Sequence, residues 1–192
     1  MFDKQKKSIL SKLDKSKKGS VDKDIISLVK IINSNPNYYT TSSCSGRILL
    51  IEVPEIRKKQ EIKWHYLTHN KTSFSKVKQE INKILKKDIK NTVWFREESL
   101  IIHICCRTIE DASKLIEIAK HIGFKRSGIN TLGKKIMLEL VSTENMDAPV
   151  IKDKLLVDDN YLKILVKEAN KKLKITKEKI KKLFTTLQEC SF

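Results

Sequence analysis

The chain has 192 residues, enough for one sizeable domain or one domain with an extension, and 40% of them are hydrophobic, which can support a real core. No apolar run approaches the roughly 18 residues that a membrane span needs, and the basic start MFDKQKKSILSKL lacks a long apolar stretch and a small-residue cleavage site, so a cytoplasmic protein without a signal peptide is expected. The charge balance, 40 Lys and Arg against 23 Asp and Glu, net +17, attracts polyphosphate and points to nucleic acid, against a competing origin of the lysines in compositional bias or heat adaptation.

Residues 3–16 and 22–34 read as two helices split by Lys17-Lys18-Gly19-Ser20. Ile25, Ile26, Leu28, Val29 and Ile32 give the second its helical spacing, and Asp22 is placed to cap it. Asn35-Pro36 breaks that helix. Residues 48–53 form an apolar strand ended by Pro54, residues 55–61 a charged loop, and residues 62–69 a second strand. Residues 73–87 are an amphipathic helix built on Phe74, Val77, Ile81, Ile84 and Leu85. Strands are expected at 92–97 and 100–107, then a helix from about 110 to 122 ended by Gly123. A pair of strands at 124–131 and 134–142 turns at Gly133, and the segment up to Val157, which holds Pro149, is expected to be irregular.

A long basic helix closes the chain at about 160–189. Leu162, Val166, Ala169, Leu173, Thr176, Ile180, Leu183 and Leu187 alternate four and three apart, a packing seam broken by one threonine and surrounded by lysines. The lysines fit a solvated face, an RNA backbone or a partner. The expected division is a domain over 1–157 and the basic C-terminal helix over 158–192. At an offset of 38, His65 falls on His103, Ser75-Lys76 on Ser113-Lys114 and Ile84 on Ile122, a weak duplication of strand, loop and helix. Grouped strands with helices between pairs favour an α+β fold.

The common nucleotide-binding loops, GxGxxG after a strand and GxxxxGK[ST], are missing, as are the hydrolase motifs HExxH and GxSxG. Cys44, Cys105, Cys106 and Cys190 have no CxxC spacing, so reduced thiols are expected rather than a zinc site or a disulfide framework. The stretch TTSSCSGR, Thr40 to Arg47, concentrates five hydroxyls, a thiol, a glycine and a guanidinium. It can be an anion-binding loop, a seat for Cys44 as nucleophile, or simply a turn. On the strand around His103, Ile102, Ile104 and Cys106 share one face, while Ile101, His103, Cys105 and Arg107 share the other. That second face could line a polar pocket or lie in water. Ser127-Gly128, after Lys125-Arg126, is a second small polar turn suited to close backbone approach.

YYTTSSCSGRI at 38–48 resembles the signature of the tRNA wybutosine-synthesizing protein 3 family of archaeal type. DKSKKGSVDKDI at 14–25, Trp64 with Thr68-His69, WFREESLIIHICCR at 94–107, GFKRSGI at 123–129 and DAPV at 147–150 follow in the same order, so the resemblance covers roughly residues 1–155. It implies an S-adenosylmethionine-dependent methyltransferase. The implied substrate is the ring nitrogen at the 4-position of a tricyclic guanosine derivative just 3′ of the anticodon of phenylalanine tRNA. The implied fold is α+β, two related strand-helix halves around a single barrel-like mixed sheet, with the long C-terminal helix added. Ser42, Ser43, Cys44, Ser45, Gly46, Arg47, His69, Glu98, His103, Arg107, Ser127 and Gly128 fall on matching positions. The resemblance then assigns proton acceptance to His103 first and His69 second. It assigns the cofactor to Ser43, Ser45, Gly46, Ser127 and Gly128, and the substrate to Ser42, Cys44, Arg47, Glu98 and Arg107, with no metal. Ser99 replaces a usual proline and Asn70 a common acidic residue. The alternatives are a non-catalytic basic RNA-binding protein, which would not bind S-adenosylmethionine, and an interaction protein built on the C-terminal helix.

Overall fold

The computed structural model describes residues 1–11, 20–54, 62–190 and 192. The second half of the first expected helix, its Lys17-Lys18-Gly19 break and the charged loop at 55–61 lie outside the described residues. Among the described residues, five helices and seven strands follow in the order α1 (Phe2–Leu10), a 3-10 turn at Lys23–Ile25, α2 (Ile26–Ser34), β1 (Tyr38–Val53), β2 (Lys63–Thr68), α3 (Phe74–Ile84), β3 (Thr92–Cys106), α4 (Ile109–Ile122), β4 (Gly128–Thr131), β5 (Ile136–Val141), β6 (Met146–Lys152), β7 (Lys154–Leu155) and α5 (Asp159–Glu189).

The fold is α+β, with one sheet in which β1 and β2, β3 and β5, β3 and β6, β4 and β5, and β6 and β7 pair antiparallel. Its main path runs β2-β1-β3-β5-β4, and β6 pairs with β3 and β7 away from that path. The expected barrel-like closure is absent among the described residues. The reason is the length of β3: its first part pairs with β6 through Val93–Glu97 and its last part with β5 through Ile101–Cys106, so the sheet forks instead of closing. The two expected strands at 92–97 and 100–107 are one strand. Glu97 and Ser99 mimic a break in the sequence, yet both are buried on the same alternation as Val93 and Phe95.

Two other segments differ from expectation for local reasons. The hydroxyl-rich stretch is neither loop nor turn but the first half of β1, a strand of 16 residues. Its sheet hydrogen bonds override the turn preference of Ser and Thr. The segment around Pro149 is also a strand. Pro149 is exposed and lies outside the two-residue β7 ladder, so along this stretch β6 is an edge strand and the missing N–H breaks no bond there.

The chain divides into two compact units, the first made of Met1–Ser45, Ser99–Thr143 and Thr176–Phe192, the second of Gly46–Glu98 and Glu144–Ile175. In the first, Leu28 and Ile32 of α2, Ile102, Ile104 and Cys106 of β3, Leu115 of α4 and Leu138 and Leu140 of β5 form one core with Ile180, Leu183 and Leu187. In the second, Ile48 and Leu50 of β1, Val77 and Ile81 of α3, Phe95 of β3 and Val150 of β6 form another with Leu162, Val166, Ala169 and Leu173. All eight seam residues of α5 are buried, Thr176 included. Local chemistry sets the helix ends. Ser73 caps α3 by accepting from the Lys76 amide. Thr108 and Asp111 form a capping box on α4, and Gly123 ends it with φ 113°.

Candidate active site

In the first unit, the outer face of the sheet carries the polar side chains. The Ser42 Oγ lies 2.8 Å from His103 Nδ1, and His103 Nε2 lies 2.8 Å from Glu139 Oε2. An ionised carboxylate can only accept, so Nε2 carries the hydrogen and donates to it. In the neutral ring Nδ1 is then the acceptor, and Ser42 donates to it. Strand register produces this line: His103 is directly opposite Glu139, and Glu139 is directly opposite Gly128 on its other side. Ser42 is exposed, and the His103 and Glu139 side chains retain 30% and 33% of their accessibility, so the group meets solvent.

The neighbours divide into those that face this group and those that build its frame. A Cβ on Gly128 would meet nothing within 4 Å, so the space beside Glu139 is open. Ser127 is buried and its hydroxyl accepts from the Val141 amide at 3.1 Å, fixing the turn before β4. Ser45 is fully buried. Its amide and hydroxyl both donate to Asp22 Oδ2, at 2.9 and 3.2 Å. The expected helix cap Asp22 therefore gives no side-chain cap bond, since its carboxylate is used on β1. Ser43 and Cys44 are partly buried on the same strand.

Arg107, on the face that the sequence left open between a polar pocket and water, is held by α1. Its guanidinium pairs with the Asp3 carboxylate, donates to Asn37 Oδ1 at 3.0 Å and lies 4.5 Å from the Phe2 ring. Phe2 also meets the buried Tyr39 with ring centroids 5.1 Å apart. Helix α1 thus covers the end of the face that carries Tyr39 and Arg107.

The second unit holds Gly46, Arg47, His69 and Glu98. Arg47 Nε donates to Glu98 at 2.6 Å, and its guanidinium lies 4.4 Å over the ring of Trp64, which is 42% exposed on β2. A backbone carbonyl can only accept, so His69 Nδ1 donates to the Gly46 carbonyl at 2.9 Å. Gly46 has φ 91°, a backbone that its lack of a Cβ permits inside β1. Next to Glu98, Glu97 points to the buried side of β3, and burial pushes its carboxyl up to about 8. Lys172 opposes that rise, while Glu144 and Glu98 add to it.

Sequence reasoning missed Glu139, Asp22, Trp64 as a cation-stacking ring, and Glu97. Glu139 stands alone among apolar residues in IMLELV, which was a usable signal. Its partner was not readable, because strand register is not written in local pattern.

The family model described as Methyltransferase TYW3 matches residues 4–189. A protein from Thermococcus sibiricus, named tRNA(Phe) 7-((3-amino-3-carboxypropyl)-4-demethylwyosine(37)-N(4))-methyltransferase, is 42% identical over 191 residues, covering 98% of this chain and 95% of its own length. A Danio rerio protein named tRNA wybutosine-synthesizing protein 3 homolog is 36% identical, with 100% of this chain and 79% of its own length covered. A solved structure of a Pyrococcus horikoshii protein superposes with a TM-score of 0.87 at 39% identity, over 97% of this chain and 95% of that one. An α+β chain with these matches is a methyltransferase. More narrowly, it belongs to the TYW3 methyltransferase family. The family match runs through α5, well past the residues that carry the resemblance in the sequence.

Proposed function

We propose that this chain is an S-adenosylmethionine-dependent tRNA methyltransferase that acts on the 4-position ring nitrogen of a 4-demethylwyosine-type base beside the anticodon of phenylalanine tRNA. The supporting observation is the family match over 4–189 together with relatives named for that reaction at 42% identity over nearly the whole chain. Net charge +17 suits an RNA substrate. Lys163, Lys167, Lys171 and Lys174 form an exposed stripe on one face of α5, suited to a phosphate backbone.

The first unit fits a methyl donor of this kind on two counts: open space beside Gly128, and a nearby set of hydroxyl, imidazole and carboxylate groups. Ser43, Ser127 and Gly128 would hold it, with Ser45 keeping β1 in place through Asp22. When bound, S-adenosylmethionine supplies a methyl group whose bond to sulfur breaks with the electron pair staying on sulfur. The protein's own work is alignment of the ring nitrogen and removal of its proton. His103 is the first choice as proton acceptor and His69 the second. In the second unit, Arg47, fixed by Glu98 and laid over Trp64, offers a planar guanidinium for a phosphate of the tRNA.

Purified protein with labelled methyl donor should label tRNA that carries the unmethylated tricyclic base and leave unmodified tRNA unlabelled. Labelling of neither, with tRNA binding intact and no heat of binding for the donor, would favour the non-catalytic RNA-binding reading.

A further inference from the structure

We propose that Ser42 and His103 remove the substrate's proton as a relay, and that Glu139 is the positioning residue that sets its direction. The inference rests on the methyl-transfer reading above and extends it to named atoms. Both imidazole nitrogens of His103 are engaged within hydrogen-bond distance, Nδ1 by Ser42 and Nε2 by Glu139. A substrate therefore meets the imidazole through the Ser42 hydroxyl. Ser42 is exposed, and an oxygen whose hydrogen points at Nδ1 has its lone pairs free to accept.

The proton path follows from this polarity. The ring nitrogen forms its new bond to the methyl carbon, and the pair of the broken carbon–sulfur bond stays on sulfur. The nitrogen's hydrogen passes to Ser42 Oγ as Ser42 passes its own hydrogen to His103 Nδ1. Ser42 ends as a neutral hydroxyl and His103 as an imidazolium between the serine and the Glu139 carboxylate. Glu139 keeps its charge throughout and opposes the positive charge that forms on the ring. Since the two side chains keep about a third of their accessibility, the imidazolium can return its proton to water. Glu139 also selects the tautomer, because only a ring with hydrogen on Nε2 leaves Nδ1 able to accept.

The test separates the relay from the substrate assignment by reading the ring directly. Nitrogen-15 NMR of the protein labelled at its four histidines assigns His103 by the signal lost in His103→Ala. The expected wild-type spectrum has hydrogen on Nε2 and an accepting Nδ1. In Glu139→Gln the amide can donate to Nε2, and the population moves toward hydrogen on Nδ1. Single-turnover methyl transfer, measured at saturating donor and tRNA, should fall about 100-fold in Ser42→Ala and in Glu139→Gln. Glu139→Asp, which keeps the acceptor, should recover part of the rate and guards against a folding artefact. A wild-type ring with hydrogen on Nδ1, or a Glu139→Gln enzyme at full rate, overturns the relay. If wild-type protein transfers no methyl group to the proposed base, the substrate assignment fails, and the NMR arm alone decides the direction of the hydrogen bonds.

Discussion

Each unit sets a strand histidine against a glutamate on the neighbouring strand, and the two pairs are built differently. His103 of β3 meets Glu139 of β5 at 2.8 Å, with side-chain accessibilities of 30% and 33%. His65 of β2 meets Glu52 of β1 at 3.1 Å, with 9% and 1%. Asn91 donates to the other Glu52 oxygen at 3.1 Å, and Lys63 lies 3.5 Å from it. The buried pair uses its hydrogen-bonding capacity within the fold, whereas the open pair holds an exposed serine on its far nitrogen. A histidine beside a glutamate is thus structural or chemical according to what else surrounds it. His65 and His103 are also one of the pairs that the 38-residue offset aligns in the sequence.

The strongest test of this contrast exchanges each histidine for alanine. His103→Ala should lower single-turnover methyl transfer by about 10²–10⁴-fold, measured at saturating tRNA, with little change in the unfolding midpoint. His65→Ala should do the reverse. It leaves the Glu52 carboxylate buried without one of its donors and should remove about 1–3 kcal/mol in urea unfolding, while the rate stays near wild type. Equal rate losses in the two variants would abolish the distinction.

Two buried carboxylates of the second unit sharpen the comparison through pH. Burial pushes Glu52 up, but the bonds from Asn91 and His65 and the charge of Lys63 outweigh it, so its carboxyl lies below the usual range. A depressed group contributes stability above the unfolded value near 4.5 and loses it as the pH falls through the folded value. Glu97 lies at about 8 because of burial and has no hydrogen-bond partner among the described residues. A raised group contributes fully below about 4.5 and loses that contribution as the pH rises toward 8. Glu97→Gln should therefore raise the thermal midpoint by an amount that grows from pH 5 to pH 8, and Glu52→Gln should flatten the acid limb instead. Thermal melts from pH 8 down to about pH 3, below the unfolded carboxylate value, check both signs.

The smallest effects come from two glycines of the first unit. Gly123 has φ 113°, and an added Cβ would lie 3.1 Å from Lys179 Cε, so Gly123→Ala should cost about 1 kcal/mol. Gly128 has open space, so Gly128→Ala should change stability by no more than about 0.5 kcal/mol yet weaken donor binding measured by calorimetry. Unaltered donor affinity would remove the space beside Glu139 from the cofactor assignment.

Periodicity made the helices legible. Every residue of the α5 seam is buried and Gly123 ends α4, because spacing and termination are local properties, whereas the Asp22 cap failed because its carboxylate is taken by Ser45 of β1. The strands were read less well wherever polar residues entered them. Ser42, Ser43 and Ser45 hid the start of β1, Glu97 and Ser99 divided β3, and Pro149 concealed β6. In each case hydrogen bonds from a neighbouring strand decide the conformation, and that neighbour is distant in sequence. His103, Ser42 and Gly128 stood out by residue type, and the resemblance then gave them roles. Glu139 was not among them, since it joins them only through the pairing of β3 with β5.

Helix α5 also constrains how the chain can be made. The first unit is assembled from the opening 45 residues, a central segment and the final stretch from Thr176. A ribosome therefore delivers α2 early, and its core residues share a cluster with Leu115 and Leu138 before Ile180, Leu183 and Leu187 can join it. The second unit's segments end at Ile175, so vectorial synthesis supplies all of its residues before the half bearing Ser42 and His103 has all of its own.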